Sequence, residues 1–593
     1  MTPLGRVGSS ILLLACALSA TAAEPADPLT FVPPKAIAVL QVNGLERTQD
    51  RIDKFLKIAV PDQADRASRS VRDAIADAFE GRDPKALRAD GRILVAISDL
   101  EKLPDTATLT FLFPVTSEDE FKKGFLTEAE RKSLAKDGDL ETVKLEDRPE
   151  PFYLVPLSGY VAASTDKETA RQLAKGEIGG IGRQLSRETA AAFLDADLSL
   201  YVNVREVNAR YGTQLKTYKS LADLFLRGDA VQGVNKAQME QLKAVLDATF
   251  KVVEDGTAAV VAVQFRPDGL AVKGVAQFGE KSGTNGTLKG HKLASLQQLG
   301  TLPVGQVSYF ASVLAQGATQ STNPLAGEFT VSDNDEGARK AITGLLREMG
   351  AYDRGVTLTA GKVFSPEGME VIESKDAARI VAGRVRVVQA LTKDGSFAHV
   401  PLKEKPAVQE NAEKLGGFAF HAIKLKFDFE KAVADLDDGV KEAARNSLKK
   451  VLGGDELGLW LGTDGKLVLQ IVARDWSAAK ALAQAYLDGQ SLEKSDAYQL
   501  TRKQLPADAT MLIVLDAAQT VYSLFGMARD STGAIPGLPL TLPEDGKQPT
   551  GKPAYVGMAL VLKPEHGFFE VFVPAAAVGR IQKVLEPLLD KGE

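Results

Sequence analysis

The residues able to do chemistry are few and scattered. The histidines are His291, His399, His421 and His566, and no two stand at the close spacing of a zinc site. The only cysteine, Cys16, lies in the N-terminal segment, so no thiolate ligand or nucleophile follows it. His566 reads as part of a hairpin turn and His421 as part of a strand, and packing accounts for both. The acidic runs Asp333-Asn334-Asp335-Glu336-Gly337 and Asp435-Leu436-Asp437-Asp438-Gly439 place glycine at the fifth position, whereas a calcium loop needs it at the sixth. Asp333 is expected to begin or cap a helix instead.

Nucleophilic chemistry fares no better. The Ser-x-x-Lys spacing of some acyl-transferring enzymes starts at Ser133, Ser164, Ser447, Ser477 and Ser491, and so short a pattern recurs by chance. Lys281-Ser282-Gly283 precedes Ser332-Asp333-Asn334, the reverse of the order such enzymes use, and there is no Gly-x-Ser-x-Gly elbow. Gly176, Gly179, Gly180 and Gly182 stand before Ser186 but lack the Gly-Lys-Ser/Thr ending of a phosphate loop, so they read as a connector. Trp460 and Trp476 could form a sugar platform, yet Trp460 sits between Leu459 and Leu461, where core packing is expected. Paired carboxylates for glycoside chemistry must be close in space, and 78 acidic residues offer no basis for choosing two. No catalytic residue is therefore assigned, and no metal or cofactor is expected.

The elements that must position any site are more legible. Phe265-Arg266-Pro267-Asp268-Gly269-Leu270 recurs as Phe364-Ser365-Pro366-Glu367-Gly368-Met369 and as Leu562-Lys563-Pro564-Glu565-His566-Gly567-Phe568. Proline presets φ, the acidic residue bonds nearby amides and glycine accepts a positive φ, so each copy is expected to close a β-hairpin. The copies recur at multiples of about 100 residues, a mark of duplicated units. A further copy belongs at Leu461-Gly462-Thr463-Asp464-Gly465-Lys466-Leu467, and a weaker one at Leu157-Ser158-Gly159-Tyr160.

Apolar strands before these turns are read at Ala36 to Val42, Leu198 to Val204, Val307 to Leu314, Phe418 to Phe429 and Thr510 to Leu515, with an extra strand from Thr108 to Val115. The helix from Gln238 carries Met239, Leu242, Leu246, Phe250 and Val253 on one face, and the last helix carries Val578, Ile581, Leu585 and Leu588. Thr165 with Glu168, and Ser117 with Glu120, have capping-box spacing. Linkers are placed around Gly176 to Gly182, Gly279 to Gly290 and Asp394 to Pro406.

The fold class expected is α+β, built from tandem modules of about 100 residues, each a small antiparallel sheet with helices on one face. Neighbouring modules can share sheets or cores. The divisions are a signal peptide at 1–23 and modules at 31–175, 183–278, 291–395, 407–500 and 501–593, the last with a proline-rich loop at 530–553 that reads as disordered. A chain of 593 residues is too long for one core. Its net charge of -6 and pI near 5.6 supply no field for nucleic acid.

The N-terminus has an n-region with Arg6, an apolar run from Ile11 to Leu18 and a small-residue exit through Ala20, Ala22 and Ala23, the pattern of a signal peptide. Cleavage near Ala22 or Ala23 discards Cys16. The alternative is a lipobox at Leu13-Leu14-Ala15-Cys16, which would leave Cys16 as an acylated anchor. No later stretch is long and apolar enough to span a membrane.

The lead-in Leu505-Pro506-Ala507-Asp508-Ala509, echoed by Pro33-Pro34-Lys35-Ala36, and the strand Gly159-Tyr160-Val161-Ala162-Ala163-Ser164 resemble a loose group of uncharacterised exported bacterial proteins built from domains of unknown function. The resemblance implies a style of fold and no activity. The function expected is that of an exported, non-enzymatic periplasmic or envelope protein, with a binding or scaffold role toward a macromolecule or ligand. The alternatives are a hydrolase with a site assembled between modules, and a carrier of a hydrophobic ligand.

Overall fold

The computed structural model describes residues 27–589 apart from Glu80, 100–107, 146–149, 228–235, 314–328, 332–334, Ala351, Asp353, Arg354, Phe364, His399, Asp435, Asp437 and 532–547. The expected signal segment, Cys16, His399, Asp333 and most of the proline-rich loop lie outside the described residues. The chain forms two compact units, one of residues 1–48 and 72–206 and one of 49–71 and 207–593. No helix among the described residues is long and apolar enough to cross a membrane.

The α+β class holds, and among the described residues 20 strands pair antiparallel throughout, apart from a small three-stranded sheet. In the first unit the strands are β1 (Ala38–Asn43), β2 (Arg92–Ile97), β3 (Leu109–Pro114), β4 (Ala135–Asp137), β5 (Leu140–Val143), β6 (Phe152–Leu157), β7 (Tyr160–Ser164) and β8 (Leu198–Val202). They run in the order β8-β1-β2-β3-β7-β6-β5-β4. Phe113 lies 4.9 Å from Phe125 and Phe121 5.1 Å from Phe125, between ring centroids, at the centre of this unit's aromatic core.

In the second unit the strands are β9 (Gly256–Arg266), β10 (Gly269–Phe278), β11 (Ser308–Val313), β12 (Phe329–Val331), β13 (Val356–Gly361), β14 (Gly368–Glu373), β15 (Gly395–Phe397), β16 (Val400–Pro401), β17 (Ala407–Leu415), β18 (Phe418–Lys426), β19 (Glu456–Thr463), β20 (Leu467–Ala473), β21 (Met511–Asp516), β22 (Tyr555–Lys563) and β23 (His566–Pro574). The main ladder is β9-β10-β23-β22-β21-β11-β13-β14-β20-β19-β18-β17.

Two expectations about the fold are overturned. The modules do not keep separate small sheets. Antiparallel meanders of two to four strands fuse instead, leading strand to leading strand at β21–β11 and hairpin to hairpin at β10–β23 and β14–β20. A short sheet left alone would expose unpaired amides along both edges, and fusion removes most of those edges. Nor do helices cover only one face. Along β14, Val371 and Ile372 point to opposite cores, as do Leu469 and Val468 along β20. The helix Trp476–Leu487 contributes Ala479 and Ala483 to one core, while Glu336–Gly350 and Ala377–Ala390 build the other. Strands buried on both faces read as near-continuous apolar runs rather than alternation, as Leu467–Ala473 does, broken only by Gln470.

All the turn copies close hairpins, between Arg266 and Gly269, Gly361 and Gly368, Thr463 and Val468, Lys563 and His566, and Leu157 and Tyr160. The role expected of glycine is corrected in part. Gly159 and Gly465 do adopt positive φ, at 74° and 96°, whereas Gly269 does not. A Cβ on Gly269 would lie 2.5 Å from the Phe572 ring, so that position is glycine because β23 packs against it. In the last copy Glu565 takes the positive φ, 64°.

Two expected linkers carry structure. Gly279 to Gly290 includes the helix Gly283–Leu288, whose buried Asn285 accepts from the Glu565 amide at 2.7 Å. Asp394 to Pro406 includes β15 and β16, which pair with each other, and β15 also with β12. The helix Lys167–Ala174 is capped by Asp166, which accepts from the Thr169 amide, and not by Thr165.

Candidate functional site

Midway along the second unit's ladder, at the strand ends from β22 to β20, lies a cleft of about 920 Å³. Its walls come from segments far apart in the chain. Val304 to Val307 lead into β11, the loop 362–367 joins β13 to β14, and Arg474 follows β20. The helix Asp438–Leu452 offers Ser447, Lys450 and Val451, a spacing that puts all three on one face. The helix Ala517–Ser531 offers Gln519, Tyr522, Ser523 and Gly526, again on one face, and Gln548, Pro553 and Tyr555 complete the wall.

The cleft's shape is held by bonds to backbone. The Tyr309 hydroxyl donates to the Pro303 carbonyl at 3.2 Å and accepts from the Gln306 amide at 3.0 Å, fixing the segment before β11. The rings of Tyr309 and Tyr555 meet edge to face at 5.8 Å. Burial pushes the Tyr555 hydroxyl above its ordinary range, against the opposing pull of its hydrogen bond with Tyr309. Burial likewise raises Tyr309. Both phenols therefore stay neutral at ordinary pH.

Apart from Lys450, the charged groups of the lining fall into two sets. Glu367, with a side chain 13% exposed, is paired with Lys362 and accepts from Arg474 Nε at 3.3 Å. A Cβ on Gly453 would stand 2.6 Å from Glu367 Oε1, so glycine there lets the carboxylate settle beside the helix end. Asp516, on the opposite wall, lies 3.5 Å from Arg580, which also donates to the Thr550 and Lys552 carbonyls at 3.0 and 2.5 Å. The apolar part of the wall comes from Val304, Val307, Val363, Val451 and the rings of Tyr522 and Tyr555.

Of the described residues weighed from sequence, the cleft brings together Ser447 and Lys450, one of the Ser-x-x-Lys pairs, along with Ser365 and Glu367 of a repeat turn. Ser164 is buried against Thr110, Ser133 bonds the Glu130 carbonyl, and Ser282 caps a helix. His421 lies in β18 and the His566 ring stacks on Phe568 at 5.7 Å. Trp460 is buried in the core, 5.9 Å from Trp476. Among the described residues no cluster of three or more His, Cys, Asp or Glu could hold a metal ion. The polar stripes on the two cleft helices were invisible in sequence, because there they look the same as solvated faces. No family model, curated protein or solved structure matches the chain.

Proposed function

We propose that this is an exported, non-enzymatic binding protein whose cleft holds an organic ligand. The cleft itself carries the reading. Its volume suits a small organic molecule, its walls are chiefly apolar, and two of its carboxylates, Glu367 and Asp516, are held by ion pairs. Export rests on the N-terminal pattern, with either loss of Cys16 or anchoring through it.

The test is solvent extraction and mass spectrometry of the protein purified from its native envelope, beside a Gly526→Trp variant. A Cβ on Gly526 meets nothing within 4 Å, so the indole can enter the cleft without disturbing the helix. One compound near stoichiometric amount, lost in the variant, is the expected result. Equal recovery from both proteins, or nothing from either, rejects the reading.

A second reading, an acyl-transferring hydrolase, rests on Ser447 and Lys450 both lining the cleft. It is the weaker of the two because Lys450 is solvent-exposed, whereas a lysine acting as base must be desolvated. Labelling of Ser447 by a fluorophosphonate probe, abolished by Ser447→Ala, would replace the binding reading with this one.

A further inference from the structure

Resting on the binding reading, we infer that the ligand is an uncharged organic molecule with hydrogen-bonding groups on an apolar body, held by Gln519 and Tyr522 of the helix Ala517–Ser531. Among the described residues of the lining, every charge already has a partner inside the protein. Glu367 takes both Lys362 and Arg474, Asp516 faces Arg580, and Lys450 is engaged as well. An ionised ligand group entering the cleft would give up water and find each counter-charge committed elsewhere.

What the lining leaves unanswered is of another kind. Among its described residues, the half-buried side chains of Gln306, Ser495, Gln519 and Tyr522 make no hydrogen bond or ion pair within the protein. The Ser523 hydroxyl, by contrast, donates to the Gln519 carbonyl at 2.8 Å and so spends its proton on its own helix. Gln519 and Tyr522 stand three residues apart, which makes them neighbours on the cleft face. A carboxamide and a phenol hydroxyl each donate and accept, so together they match a carbonyl, amide or hydroxyl of a ligand. Val307, Val363 and Val451 give its apolar body a surface.

The experiment titrates three fluorescent probes into the full chain. Dansyl amide and dansyl sulfonate share one naphthalene body and differ in charge, and pyrene has neither a charge nor a hydrogen-bonding group. The amide is expected to bind at least about tenfold more tightly than the sulfonate. Gln519→Leu and Tyr522→Phe are each expected to weaken the amide about fivefold, the loss of one hydrogen bond, and to leave pyrene at least as tightly bound. Gln519→Lys adds a cation without a partner and is expected to tighten the sulfonate about tenfold.

Retained binding of pyrene also shows that the helix variants are folded. If Gly526→Trp blocks the probes but the unaltered chain binds sulfonate as tightly as amide, the uncharged class is wrong and the binding cleft stands. Amide binding indifferent to both Gln519→Leu and Tyr522→Phe overturns the proposal in the same way. If Gly526→Trp leaves all three titrations untouched, the probes sit elsewhere and the cleft reading falls with the proposal.

Discussion

At the scale of single residues, buried carboxylates carry several local structures at once. Glu130, 3% exposed, accepts from the Thr127 amide at 2.9 Å, completing a capping box, and pairs with Arg82 at 2.5 Å. Glu130→Ala removes the cap bond and the buried pair with Arg82 together, so urea denaturation should show a loss of about 3 kcal/mol in the first unit. Asp255 makes a pH prediction. Burial raises its pKa, but the Thr284 amide and hydroxyl, each at 2.8 Å, and Lys251 outweigh burial and hold it below the ordinary value. A depressed folded pKa means that the contribution is present above the unfolded pKa, about 3.9, and is lost as pH falls through the folded value. Asp255→Asn should therefore flatten the acid limb of stability below about pH 4 and leave its slope unchanged above about pH 6. Residue roles were only half legible in sequence. Thr127 and Glu130 share their spacing with Thr165 and Glu168, yet only the first pair forms a box, because Asp166 takes the second cap.

At the scale of elements the sequence was most informative. Apolar runs located β3, β8, β11, β18 and β21 to within a few residues, and the Pro-acidic-Gly copies located the hairpins. Strand-to-strand choice across the ladder was hidden, because β10 meets β23 through positions some 300 residues apart and nothing local records that pairing. Once the pairing is known, one residue explains itself. Gly274 faces Phe569, and a Cβ there would fall 1.7 Å from the Phe569 ring, so the ring lies over a bare backbone. Gly274→Val should push Phe569 off the sheet and cost at least about 2 kcal/mol. Hydrogen exchange should show the loss first along β10 and β23, and retained protection there would reject this account.

At the scale of the whole chain, the division into units cuts across sequence order. Residues 49–71 belong with the second unit although the strands on either side of them, β1 and β2, belong to the first. The stretch holds most of the helix Leu45–Ala59 and the start of the helix Ala64–Ala78, and its partners reveal its membership. Phe55, 7% exposed, meets Phe265 edge to face at 6.0 Å, and Ala59 packs with Ala575 and Leu270. This segment therefore covers apolar surface of β9 and β10 that the second unit's own later chain leaves open. Phe55→Ser should cost about 3 to 5 kcal/mol, the usual loss for a buried phenylalanine. The location of that loss is the sharper prediction. Amides of β9, β10 and β23 should lose protection from exchange while those of β3, β6 and β7, deep in the first unit, keep theirs. The reverse pattern would return residues 49–71 to the first unit and undo the interleaved division.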